Sequence, residues 1–114
     1  MEPQANKSSS PPPNGQLLRF VVLRHDGYGP LHWDLMIEIP NQDKLATWHV
    51  TTPPEQWGPT ITGQRIADHR RAYLEYQGEI SANRGQVTRI AQGNARWDGD
   101  VPLILLGQWR RIAV

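Results

Sequence analysis

With 114 residues, a net charge of +1 and no cysteine, the chain has room for one hydrophobic core and carries no disulfide or thiolate metal site. No apolar run reaches the ~20 residues that span a bilayer, and no signal-peptide core opens the chain, so a cytoplasmic protein without membrane contact is expected. The balance hides an asymmetry: residues 1–64 hold four Lys/Arg against six Asp/Glu, and residues 65–114 hold eight against five. An acidic half beside a basic half suits a phosphate-bearing partner.

Residues 1–16 contain Ser8-Ser9-Ser10-Pro11-Pro12-Pro13 and almost nothing apolar, the composition of a disordered tail. Residues 17–114 form the expected domain. Its apolar runs are short and broken by Gly, Pro, Asn and Asp, which favours strands. Strands are expected at Leu18–Leu23, Trp33–Ile39, Leu45–Val50, Tyr73–Ile80, Gln86–Ala91, Leu103–Leu106 and Trp109–Ala113, with a hairpin at Asn41-Gln42-Asp43. Thr51 to Pro59 holds three prolines and reads as an irregular loop, because each proline removes a ladder donor. Ala67 to Ala72 reads as a helical turn capped by Asp68. The fold class that follows is all-β, a small closed or nearly closed antiparallel barrel of about six to eight short strands with a long Pro-rich loop.

The chemistry concentrates in Arg24-His25-Asp26-Gly27-Tyr28-Gly29-Pro30-Leu31-His32-Trp33-Asp34, which holds two of the four histidines. On a strand opening at His32, alternation puts His32, Asp34, Met36 and Glu38 on one face and Trp33, Leu35, Ile37 and Ile39 on the other. A turn on Gly27, Gly29 and Pro30 lets His25 fold back toward His32 and Asp34. Two imidazoles and one carboxylate suit a divalent cation with positions open to water and substrate, although the same residues also serve as ordinary polar side chains at a strand end. A second group, Arg65, Asp68, His69, Arg70, Arg71 and Tyr73, combines cations with proton-bearing groups and suits a phosphate clamp or an exposed basic turn. His49 reads as structural or peripheral. The tryptophans read as core, except Trp57, which suits a packed anchor and a base-stacking ring equally.

These motifs together resemble the 3′-phosphoesterase module of bacterial DNA ligase D, which also occurs as a free-standing protein. The family's hallmark is a strand ending in Lys/Arg-His-Asp followed by Leu-His-Tyr-Asp on the next strand, and the chain has Arg24-His25-Asp26 and Leu31-His32-Trp33-Asp34. The family's Arg-Val-Glu-Asp-His segment, with a tyrosine four residues on, corresponds to Arg65-Ile66-Ala67-Asp68-His69 and Tyr73. Its aromatic-Glu-Gly-x-Ile stretch corresponds to Tyr76-Gln77-Gly78-Glu79-Ile80, and its later Gly-x-Val and Gly-x-Trp signals to Gly85-Gln86-Val87 and Gly107-Gln108-Trp109. The resemblance covers about residues 18–112.

The resemblance implies a Mn²⁺-dependent phosphoesterase, or one using another divalent cation, that processes DNA or RNA–DNA 3′ ends in repair by removing a 3′-ribonucleotide and then a 3′-phosphate. It implies His25, His32 and Asp34 as metal ligands and His69 and Tyr73 as the catalytic pair. Arg65, Arg70 and Arg71 are the candidates for substrate binding. A monomer is expected, with a DNA ligase or end-joining factor as a candidate partner. The chain departs from the family at three clamp positions: Met36 stands for an arginine, Ala67 for an acidic residue and Thr52 for a lysine. The alternative reading is therefore a nucleic-acid-binding or repair-scaffold module of the same fold with weakened chemistry. A non-haem iron oxygenase would use the same ligand types, but the order of motifs favours the phosphoesterase.

Overall fold

A computed structural model of the chain describes residues 17–114. The expected 1–16 tail lies outside the described residues. Among the described residues nine strands form one sheet: β1 (Leu18–Asp26), β2 (His32–Glu38), β3 (Lys44–Val50), β4 (Thr60–Thr62), β5 (Gln64–Arg70), β6 (Gly78–Glu79), β7 (Gln86–Asp98), β8 (Val101–Leu106) and β9 (Gln108–Ala113). The order across the sheet is β4-β9-β8-β7-β1-β2-β3-β5, and β6 pairs separately with β7. Two short 3₁₀ turns, Pro54–Gln56 and Arg71–Leu74, are the helical elements among the described residues. None is long and apolar enough to cross a membrane.

The all-β expectation holds, but the closed antiparallel barrel does not. The sheet is mixed, because β4 runs parallel to β9 while every other pairing is antiparallel. Its two ends, β4 and β5, are separated by one residue, Gly63, yet share no ladder. The Pro-rich loop carries the chain from β3 to the far edge, where Arg111 N–H donates to Pro59 O at 2.8 Å and Gly63 N–H to Ala113 O at 2.9 Å. At Gly63 the chain turns back beside β3. A Cβ there would lie 2.9 Å from Val50 Cγ2 and 3.1 Å from the His49 carbonyl oxygen, so only glycine permits the approach. The sheet curls until its edges meet at one corner without hydrogen-bonding into a barrel.

The curl separates two cores. On the inner face Phe20 and Val22, Trp33, Leu35 and Ile37, and Ala46, Trp48 and Val50 pack with Ile61, Ala95, Ile104 and Ile112. Trp57 belongs to this core, with its indole N–H donating to Thr52 O at 2.8 Å, so it is an anchor for the Pro-rich loop. The outer face carries a smaller core of Val21, Leu23, Met36, Leu45, Leu74 and Val87, with Tyr73 and Ile80 packed against it. Period-two alternation along β1, β2 and β3 assigns each side chain to its face.

Other boundaries moved for physical reasons. Tyr73–Ile80 is not a strand: Tyr73 and Leu74 sit on a 3₁₀ turn that lays them onto the outer core, and only Gly78–Glu79 pairs. The helical turn expected at Ala67–Ala72 is mostly strand, since β5 pairs with β3 through Arg70. β7 runs on to Asp98 because it spans β1, β6 and β8, with a register shift opposite Val22/Leu23. The hairpin at Asn41-Gln42-Asp43 is present, with Gln42 N–H on Ile39 O at 3.1 Å and Asn41 at φ 63°.

Candidate metal centre

β1 and β2 are joined by a turn in which Gly27 (φ 81°) and Gly29 (φ 68°) take left-handed backbone that other residues adopt only under strain. The turn brings His25 directly opposite His32 in the antiparallel register, and Leu23 opposite Asp34. All four project to the outer face. Ligand atoms from His25, His32 and Asp34 lie within 4.8 Å of one another, so the cluster could hold a metal ion.

Hydrogen bonds orient both rings. His25 Nε2 lies 2.7 Å from the carbonyl oxygen of Arg84, and His32 Nδ1 lies 3.0 Å from that of Pro30. A carbonyl only accepts, so these two nitrogens carry the protons and the opposite nitrogen of each ring presents a lone pair. Those free nitrogens face Asp34: His25 Nδ1 is 3.3 Å from Oδ2 and His32 Nε2 is 3.4 Å from Oδ1. Asp34 is buried, and a buried carboxylate needs a positive partner. The three groups form a cradle for one positive charge, either a proton added to an imidazole or a cation. Two ligand atoms each about 2.1 Å from an ion stand about 3.4 Å apart at a tetrahedral angle and about 3.0 Å at a right angle, which brackets the two histidine–aspartate spacings.

The position of Arg84 O is set by packing of the turn before β7. Ile80 N–H donates to Gly85 O at 2.8 Å, and Gly85 takes φ 79°. A Cβ at Gly85 would collide with the Asp26 carbonyl oxygen and come within 2.9 Å of the Gly27 carbonyl carbon. Backbone meets backbone here, which seats Arg84 O against His25.

No family model and no curated protein matches this chain. The chemistry of the centre therefore stands on its geometry.

His49, expected to be structural or peripheral, adjoins the cluster. It pairs with Asp34 across β2 and β3, and its ring stacks on His32 at 4.1 Å with an interplanar angle of 16°. Burial, and then the neighbouring His32, lower its pKa below the usual 6.5, with Asp34 opposing them. The signal was in the sequence: a hairpin at 41–43 that sets Glu38 opposite Leu45 sets Asp34 opposite His49 and puts both on one face. Tyr28 also approaches, its ring 6.3 Å from that of His25.

His69 and Tyr73 are together but apart from the metal cluster. Their rings meet edge to face at 5.7 Å, and His69 Nδ1 is 2.9 Å from Ala67 O. His69 lies opposite Leu45, four residues along β3 from His49, or about 13 Å along the strand. Met36, fully buried in the outer core, stands between the two ends of this face.

The arginines differ in what they have left to offer. Arg65 lies opposite Trp48 on β3, stacks on its ring at 5.0 Å, donates to Ile66 O at 2.6 Å and pairs with Asp68 at 2.8 Å. Arg71 pairs with buried Glu38, which also accepts Arg19 N–H at 2.7 Å. Arg70 is exposed and has no ion pair among the described residues, with its guanidinium 5.8 Å from the Tyr73 ring centroid.

Proposed function

We propose that His25, His32 and Asp34 hold a divalent cation, Mn²⁺ in the first instance, and that the chain is a metal-dependent phosphoesterase acting on nucleic-acid 3′ ends. The observation that carries the reading is the pair of imidazole lone pairs aimed at a buried carboxylate, each ring fixed from behind by a backbone carbonyl. The order of motifs shared with the ligase D phosphoesterase module supplies the substrate class. A bound cation at such a centre polarises a phosphoryl oxygen and lowers the pKa of a coordinated water. Asp34 supplies the negative charge that favours a dication, and the Arg84 and Pro30 carbonyls keep His25 and His32 in the coordinating tautomer. Arg70 is the clamp arginine with unspent donors, whereas Arg65 and Arg71 are engaged within the sheet. His69 and Tyr73 contact the substrate farther along the same face.

The separation of His69 and Tyr73 from the cluster, with Met36 closed into the core between them, favours a second reading: a nucleic-acid-binding module of the same fold with weakened turnover. Incubating a primer-template ending in a 3′-phosphate or a single 3′-ribonucleotide with Mn²⁺ separates the two. The phosphoesterase reading requires a 3′-hydroxyl product from the natural chain and none from His32→Ala. Metal-insensitive DNA binding without product selects the second reading.

A further inference from the structure

A cavity of about 240 Å³ opens between the 3₁₀ turn after β5 and the turn leading into β7. Its wall includes Arg70, Tyr73, Tyr76, Glu79, Ile80 and Arg84. The lining thus includes two arginines and one glutamate. Arg84 donates through Nε to Ser81 O at 2.9 Å and through Nη2 to Ser81 Oγ at 3.1 Å, which fixes the side chain at the rim and leaves Nη1 unspent. Among the described residues the Arg70 guanidinium makes no ion pair and lies 5.8 Å from the Tyr73 ring centroid, so its donors are available as well. Tyr73 and Tyr76 meet edge to face at 5.9 Å, and the Tyr76 hydroxyl is tied to the Glu79 carbonyl, which fixes an exposed ring beside the two cations.

We propose that this cavity binds a single phosphorylated nucleoside, with Arg84 and Arg70 on the phosphate and the Tyr76 ring against the base. Guanidinium groups match phosphate oxygens in charge and geometry, and a fixed aromatic ring stacks on any base. The volume lies just under the roughly 300–1,000 Å³ of drug-sized pockets, so the cavity takes at most one nucleotide unit, with part of it left outside the mouth. The cavity is joined to the metal cluster through one residue, because the Arg84 whose side chain lines it also holds His25 by its carbonyl. A cation that Met36 cannot supply from β2 is in this way supplied from the turn before β7. The assignment rests on the phosphoesterase reading only for which nucleotide arrives there, the terminal one of a strand; binding itself needs no metal.

The test is calorimetric titration of the full chain with adenosine 3′-monophosphate in EDTA, alongside adenosine and inorganic phosphate, repeated with Arg84→Gln and Arg70→Gln. The proposal expects one nucleotide per chain, adenosine and phosphate each weaker by about tenfold or more, and about tenfold loss in Arg84→Gln with an unchanged melting temperature. No nucleotide binding, adenosine binding as tightly as the nucleotide, or equal affinity in the natural chain and both variants would overturn it. Because no metal is present, absence of Mn²⁺-dependent turnover with nucleotide binding intact would overturn the phosphoesterase reading and leave the cavity assignment standing.

Discussion

His25 donates an Nε2–H hydrogen bond to the backbone carbonyl of Arg84 at 2.7 Å, and that bond decides which nitrogen faces Asp34. Arg84 O is held there by Gly85, whose left-handed backbone has no room for a Cβ beside Asp26 and Gly27. Gly85→Ala is expected to cost at least about 2 kcal/mol, from backbone strain plus the clash. Metal affinity should fall with it, as His25 loses its partner. Urea unfolding and Mn²⁺ titration of the variant check both, and a variant with natural stability and affinity would show that the turn does not position the ligand.

Asp34→Asn distinguishes a metal cradle from a structural ion pair. Without metal the substitution removes a buried charge facing two lone pairs, so stability in EDTA should hold or rise. The stabilisation by Mn²⁺, about 2.7 kcal/mol at a hundredfold excess over Kd, should vanish. A loss of about 3 kcal/mol in EDTA would instead mean that Asp34 pairs with a protonated imidazole in the native fold.

Arg70 and Arg71 are neighbours with opposite expected phenotypes. Arg71→Ala leaves Glu38 buried with only the Arg19 contacts and should cost about 1–2 kcal/mol. Arg70→Ala should change stability by less than about 0.5 kcal/mol, since it breaks no ion pair, while weakening nucleotide binding. Thermal melts of the two variants side by side settle the assignment.

Met36→Arg places a cation at the position where the resemblance to the ligase D module leads one to expect an arginine. Met36 is packed among Val21, Leu23 and Leu45, so the guanidinium would be forced into an apolar core. The expected result is a loss of about 2–4 kcal/mol and no gain in phosphate release, read from chemical denaturation and a 3′-phosphatase assay.

His49 should make the metal-free protein acid-sensitive. Its folded pKa lies below the ordinary 6.5, so the unfolded chain takes up the proton more readily and stability is lost as pH falls below that value. His49→Gln should flatten the dependence between pH 8 and pH 5.5, measured as the urea midpoint in EDTA.

Much of the centre is legible in the chain itself. The alternation from His32 to Ile39 separates Trp33, Leu35 and Ile37 from His32, Asp34 and Met36 as the structure does, and the glycine-rich turn returns His25 to His32; that Met36 joins a second core on the polar face does not follow from it. What fails is what depends on distant partners. Thr60–Thr62 alternates like a strand but is only three residues long, too short to read alone, and it becomes a strand by lying parallel to β9. Tyr73, Leu74 and Ile80 look like an alternating strand because they cover the outer core, which a 3₁₀ turn does as well. Barrel closure turns on hydrogen bonds between β4 and β5 that Gly63 brings near without forming. Sequence order places His69 and Tyr73 after the ligands, but only the β3–β5 register reveals that they stand along the face rather than across from the cluster.

Whether one cation sits between two imidazoles and Asp34 can be read by adding Mn²⁺ to isotope-labelled protein and mapping paramagnetic broadening. Saturable binding of one ion is expected, with resonances of His25, His32 and Asp34 broadened first and His49 close behind. Broadening spread over the surface carboxylates, or unchanged in His32→Ala, would contradict it.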